Sequence, residues 1–213
     1  GFILNRRLFG QRLLHDAINA GATLLDSTIV TDSIIQDGFV KGVMAKNLKT
    51  GSKTQQQSKV VVDASGFTAV LRKKLPPEIG IDLNVSNEDV EACYREIRSL
   101  AKADVNLDFC EIYLDQTVSP GGYYWIFPED KNRVNVGLGV AMTPGFPNPK
   151  NQLYLKVLSQ PMFKGSTPVK GGAWYVPTRR PLDCMTGNGI VVVGDSACQV
   201  NPIHGGAMGP SMM

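Results

Sequence analysis

Two short apolar runs, Val60-Val61-Val62 and Ile190-Val191-Val192-Val193, stand near opposite ends of the chain. Each ends abruptly in a carboxylate among small residues, Asp63-Ala64-Ser65-Gly66 and Gly194-Asp195-Ser196-Ala197. A β-branched run without alternation reads as a strand buried on both faces, the style of a parallel sheet. The pattern between them differs. Val134, Val136, Leu138 and Val140 alternate with Arg133, Asn135, Gly137 and Gly139, as in a half-buried antiparallel strand. The two runs therefore predict an α/β layer built from both ends of the chain, with an antiparallel sheet inserted between them. The boundaries read from the sequence are 1–78, 79–180 and 181–213.

Other elements follow from spacing. Phe9, Leu13, Leu14, Ala17 and Ile18 predict a helix closed by Gly21. Ala22 to Leu25 reads as a short strand. Ile29 to Gln36 and Phe39 to Ala45 read as a hairpin about Asp37-Gly38. The glutamine-rich Thr50 to Ser58 reads as an exposed loop. After the Pro76-Pro77 break, Ser86 and Asp89 form a capping-box pattern. With Val90, Tyr94 and Ile97 as an apolar stripe beside Cys93, it predicts a helix. Gln152 to Leu158 reads as a second short helix, and Ala173 to Val176 as extended.

Composition excludes several classes. The 213 residues are 43% hydrophobic and 19% charged, as in ordinary globular chains. Net charge is +3, and the basic residues are dispersed, so no nucleic-acid partner is expected. Weak attraction to anionic lipid headgroups is compatible with this charge. The four cysteines carry no C-x-x-C spacing and only two histidines accompany them, so no zinc site is expected. Reduced thiols predict a cytoplasmic protein, peripheral on the membrane at most. No apolar run approaches the roughly 20 residues of a membrane span. The chain lacks both an initiator Met and a G-x-G-x-x-G loop after an N-terminal strand, and it reads as an internal fragment of a larger protein.

The chemistry concentrates in Gly189 to Met208. Gly194-Asp195 follows a strand, at the carboxyl edge where α/β folds bind ligands. Asp195 there can accept hydrogen bonds from the hydroxyls of a ribityl chain, although the pair also fits a plain turn. Asn201-Pro202 then turns the chain, and Gly205, Gly206 and Ala207 remove side-chain bulk, so that backbone amides can approach a planar ligand. A helix starting near Met208 would face that ligand with its positive end, which suits a reduced flavin. His204 adjoins the loop. Asp63 to Gly66 offers a second turn that either lies against a dinucleotide or simply ends a strand. Arg6 and Arg7 open the first helix, from which either can reach a phosphate or a ring edge. In Pro120 to Pro128, Tyr123, Trp125 and Phe127 occupy alternate positions and share one strand face. Such a wall suits a lipid or a flat ring, and equally a packed sheet core.

With these residues in hand, the chain resembles the geranylgeranyl reductase family of flavoproteins, and within it the archaeal digeranylgeranylglycerophospholipid reductases. Pro120, Tyr123, Trp125, Phe127 and Pro128 match the family's P-x-x-Y-x-W-x-F-P substrate-side motif at every specified position. Val193 to Ala197 with Asn201-Pro202 is similar to its GDAA…NP segment, and Asp63 to Gly66 to its D-A-x-G turn. The resemblance implies a hydroxylase-type FAD-binding fold with an inserted substrate domain. It implies an FAD-dependent reductase that saturates isolated double bonds of prenyl chains in membrane-lipid precursors. It places flavin contacts at Arg6, Val30, Asp195, Ala207 and Met208, with Gly194, Gly205 and Gly206 around them. Tyr123, Trp125 and Phe127 fall on the substrate side. Asn5 stands where the family has an acidic residue, and Ala207 where it has glycine. The proton donor is not named by the resemblance. The electron donor stays open between a reduced nicotinamide and a ferredoxin.

Two other readings compete. One is a different flavoenzyme of the same fold, an aromatic hydroxylase or a halogenase. The other is a lipid-binding module that uses the antiparallel sheet and no flavin. The aromatic motif favours the reductase. Without an N-terminal glycine loop to cradle a pyrophosphate, residues 1–213 alone are expected to bind FAD poorly.

Overall fold

The structure is a computed structural model that describes residues 4–102 and 105–212. Helix α1 (Arg6–Asn19) starts at Asn5, whose side chain accepts from the Leu8 amide at 3.1 Å. The helix forms as its spacing predicts, yet none of its residues is buried among the described residues, and Leu8, Leu13, Leu14 and Ile18 lie exposed. Residues 22–25 are not a strand, because no neighbouring strand pairs with them.

Strands β1 (Thr28–Gln36) and β2 (Phe39–Asn47) form the expected hairpin. Asp37 and Gly38 both have positive φ, 50° and 74°, the geometry that matches the twist of two-residue hairpins. The glutamine-rich segment corrects the sequence reading, because β3 (Lys53–Gln57) pairs antiparallel with β2. All five of its residues are exposed, so it carries no alternation by which to be read.

Strand β4 (Val61–Asp63) leads into a turn held by Asp63, which is only 2% exposed. Its carboxylate accepts from the Ser65 amide and hydroxyl at 3.0 and 2.6 Å, and from the Leu71 and Arg72 amides at 3.1 and 2.9 Å. Burial pushes its pKa up, and the bonds from Ser65, Arg72 and Leu71 outweigh burial and hold it below the ordinary carboxylate value.

The predicted helix after Ser86 is replaced by one 3₁₀ turn, Asn87–Asp89, and strand β5 (Val90–Ser99). Ser86 does cap that turn, accepting from the Glu88 amide at 3.3 Å. The chain then extends because it is paired on both sides. A five-stranded antiparallel sheet runs β6 (Glu111–Tyr113), β7 (Tyr124–Asp130), β8 (Arg133–Ala141), β5 and β9 (Thr167–Pro177). One face is a closed core. Ile126, Val134, Val136 and Leu138 pack there against Leu153, Val157 and Phe163. The first two of these covering residues come from a π-helical turn, Leu153–Val157, that continues α2 (Pro149–Gln152).

The chain returns through β10 (Thr186–Gly187) and β11 (Ile190–Val192), and β11 pairs parallel with β4, Ile190 beside Val61. Val40, Val61, Leu71 and Ile79 share a second core with Leu182, Ile190 and Val192. Both chain ends thus build one α/β layer. The two valine runs are not buried on both faces, however. Val61 is covered while Val60 and Val62 are 54% and 59% exposed. A 3₁₀ turn, Gly194–Ala197, and helix α3 (Met208–Met212) complete the fold. Among the described residues, no helix is long and apolar enough to cross a membrane.

Candidate active site

The outer face of the five-stranded sheet is a trough. Tyr123, just before β7, and Trp125 and Phe127 on it form one wall, with ring centroids 5.8 and 6.2 Å apart in sequence. The indole N–H of Trp125 donates to Asn135 Oδ1 on β8 at 3.2 Å, which fixes the ring's tilt. Next across the sheet come Gly137 and Gly139 of β8, opposite Arg95 and Cys93 of β5. A β-carbon on Gly137 would stand 2.5 Å from Trp125 Cζ2 and 2.6 Å from Arg95 Cβ. The missing side chains therefore leave room for the Trp125 ring and for Arg95, Glu91 and Cys93 to lie over the sheet. The far side carries Glu91, Cys93 and Arg95, flanked by Trp174 and Val176 of β9. Together they line a cavity of about 500 Å³.

The glycine loop closes one end of this trough. Asn201 and residues 205–206 clasp each other, the Gly205 amide donating to Asn201 O at 2.9 Å and the Asn201 amide to Gly206 O at 3.1 Å. The Asn201 side chain accepts from the Ile203 amide at 2.9 Å. Gly205 has φ +64°, and a β-carbon there would come 2.8 Å from Tyr123 Oη. Glycine at this position thus serves both the loop's turn and the close approach of the aromatic wall.

Behind the loop lies a second cavity, about 430 Å³, lined by Arg6, Asp195, Gly206, Ala207 and Met208 among others. Arg6, Val176, His204 and Gly205 line both cavities, so the two are neighbours across these residues. Gly194 begins the turn that carries Asp195, its amide donating to Gln199 Oε1 at 2.8 Å. Asp195 is half-buried, and among the described residues no hydrogen bond reaches its carboxylate. Burial pushes its pKa up, and the nearby Arg6 guanidinium partly opposes this. A desolvated carboxylate short of donors, beside a cation and a run of small residues, has the chemistry to take polyol hydroxyls. The residues present therefore fit the ribityl side of a flavin.

Val30 stands apart from these residues. It lines a separate, more apolar cavity of about 700 Å³ with Val43, Val61, Ala64 and Ser65. The structure thus gathers Arg6, Asp195 and Gly205 to Met208 in one place, joins Tyr123, Trp125 and Phe127 to it, and puts Val30 with the Asp63 turn in another. His15 sits on the exposed α1 and accepts a hydrogen-bond contact from Asn19 at 3.0 Å. Cys198 is buried in the α/β core.

Glu91 and Cys93 were not legible as site residues. A helical reading of residues 86–97 puts them on separate sides of a cylinder, whereas β5 sets both on the trough face. Burial pushes the Glu91 carboxyl up to about 7, and burial with the nearby Glu91 charge pushes the Cys93 thiol up to about 12. Gly137 and Gly139 carried a readable signal, two glycines at alternate positions on the face shared with the aromatics.

A family model described as the geranylgeranyl reductase catalytic domain matches residues 89–180. Over these residues the chain is similar to the geranylgeranyl reductase family. The whole chain is 44% identical to the digeranylgeranylglycerophospholipid reductase of Sulfolobus acidocaldarius, covering 100% of this chain and 47% of that protein. It is 33% identical to the protein of the same name from Methanosarcina acetivorans, covering 98% of this chain and 49% of the relative. The chain spans about half the length of these curated relatives. Among solved structures, it is similar to a geranylgeranyl bacteriochlorophyll reductase-like protein from Thermoplasma acidophilum, with TM-score 0.88 and 24% identity over 100% of this chain and 52% of that one. A flavin-dependent brominase aligns over 100% of this chain and 54% of its own, with TM-score 0.74 and 18% identity. The geranylgeranyl reductase segment thus coincides with the trough-bearing sheet, and the surrounding α/β layer has the fold of FAD-binding flavoproteins.

Proposed function

We propose that this chain is the substrate-binding and ribityl-side portion of an FAD-dependent reductase that saturates isolated double bonds of prenyl chains in membrane-lipid synthesis. The observation that carries this reading is that the aromatic trough and the Asp195 cavity adjoin, with Arg6, Val176, His204 and Gly205 lining both. A prenyl chain offers no polar handle at its double bonds, so only a shaped apolar surface can hold one against a reactive ring. Tyr123, Trp125 and Phe127 supply that surface, with Gly137 leaving room for the Trp125 ring to lie against the sheet.

Arg6, Asp195, Gly194 and Gly205 to Met208 would hold the ribityl chain and ring, and Val30 with the Asp63 turn would meet the adenosine end. A bound, reduced flavin supplies a hydride. The residues of this chain orient the alkene, keep water from it and fix its distance from the ring. A reduced nicotinamide or a ferredoxin would supply the electrons. The apolar substrate and mild positive charge favour a cytoplasmic enzyme in peripheral contact with the membrane.

The test is anaerobic incubation of the flavin-loaded enzyme containing this chain with dithionite and a digeranylgeranyl glycerophospholipid. Mass spectrometry should show hydrogens gained in pairs. An unchanged lipid would contradict the reading. A hydroxylated or halogenated aromatic product under aerobic conditions would support the competing flavoenzyme classes.

A further inference from the structure

Saturating a carbon–carbon double bond needs a proton as well as a hydride. An isolated alkene stabilises neither the anion nor the cation left by one transfer alone. Both donors must therefore face the same bond.

Glu91 is only 7% exposed, yet it lines the trough beside Tyr123 and across from the aromatic wall. Among the described residues its carboxyl receives no side-chain or backbone hydrogen bond, which sets it apart from Asp63 with four. It also differs from Glu96 on the opposite sheet face, which accepts from Tyr94 and Tyr154 at 2.9 and 2.7 Å and pairs with Arg98. The space it occupies exists because two residues lack side chains. A β-carbon on Gly139 would collide with Glu91 Oε2, and one on Gly122 would stand 3.1 Å from it. A carboxyl without protein partners that lines a cavity is left free to meet whatever occupies it.

On the reading of this chain as a prenyl reductase portion, we propose that Glu91 is the acid that protonates the alkene. The π bond breaks. One carbon gains a hydride, with its electron pair, from the reduced flavin. The other gains the proton of the Glu91 carboxyl, which is left as a carboxylate and takes a proton back from water. Burial keeps the carboxyl protonated up to about pH 7, so the acid is loaded in the neutral range. Cys93, pushed up to about 12, is far less matched to that task. The other titratable and charged groups facing this space are Arg95 on β5, Tyr123 before β7, His204 on the glycine loop and Arg6 on α1. Asn135 on β8 and Trp174 and Val176 on β9 are uncharged.

The experiment compares wild type with Glu91→Gln in the flavin-loaded enzyme. It follows oxidation of the reduced flavin by the prenyl lipid in a single anaerobic turnover across pH. The wild-type rate should fall as pH rises through about 7. The variant should be slower by about 100-fold or more and lose that limb, while its flavin content and the spectral shift on lipid binding persist. Infrared difference spectra, independent of turnover, should show a protonated carboxyl band in wild type that titrates over the same range and is missing in Glu91→Gln. Glu91→Asp, with the acid drawn back by one methylene, should recover part of the rate. A Glu91→Gln enzyme with wild-type rate and the same pH limb would overturn the proposal. Loss of flavin or lipid binding in both variants would also overturn it, making Glu91 structural. A wild type that reduces no prenyl lipid would overturn the reading of the reaction itself, and the infrared titration would still report whether Glu91 is a neutral acid.

Discussion

Tyr123 Oη stands only 2.8 Å from where a β-carbon on Gly205 would sit. This contact joins the inserted sheet to the loop of the α/β layer, at the boundary between the two cavities that Gly205 lines. Gly205→Ala should destabilise the protein by about 1–2 kcal/mol through its positive φ alone. The clash with Tyr123 adds to that. Thermal denaturation of Gly205→Ala, Tyr123→Phe and the double variant should show coupling, the double variant being less damaged than the sum of the singles. Strict additivity would mean that the loop shifts freely and the two residues do not constrain each other.

The trough floor gives a second expectation. Gly137→Ala brings a β-carbon to 2.5 Å from the Trp125 ring and 2.7 Å from Tyr94 O. Overpacking of this kind costs about 1–3 kcal/mol. Lipid turnover should fall more than flavin content, because the obstruction lies on the substrate side. Absorbance of the bound flavin and turnover of the same preparation separate the two.

Asp63 supplies a pH prediction. Its folded pKa is depressed, chiefly by bonds from Ser65, Arg72 and Leu71 that outweigh burial. A depressed carboxyl contributes stability that is present above its unfolded value near 3.9 and is lost as pH falls through the folded value. Denaturant titrations should therefore show stability declining below about pH 4 in wild type. Asp63→Asn should be less stable at neutral pH by about 1–3 kcal/mol, with a flatter acid limb. An unchanged acid limb in the variant would assign it to other carboxylates.

Much of this architecture was readable. Asp37-Gly38 announced the hairpin, and the alternation from Arg133 to Val140 announced β8. The shared parity of Tyr123, Trp125 and Phe127 announced one wall of the trough. The central strand was hidden for a physical reason. Val90 to Ser99 is paired on both sides, so its polar residues serve as site groups on one face and as the Glu96–Arg98 pair on the other. Period-two alternation of polar and apolar residues is erased, and the residues that remain mimic a helical stripe. The β3 glutamines failed to announce a strand because both of their faces are solvated. Proximity of Arg6 to Asp195 depends on how the first helix lies against a loop nearly the whole chain away, which no local pattern encodes.

The central claim, that the aromatic trough and the Asp195 cavity form one site for reducing prenyl double bonds, is tested most directly with Trp125→Ala. The measurement is the anaerobic rate at which a digeranylgeranyl lipid oxidises the reduced, flavin-loaded enzyme, set against flavin content in the same sample. A large drop in that rate with flavin content held is the predicted result. Equal loss of both, or an unchanged rate, would contradict the claim.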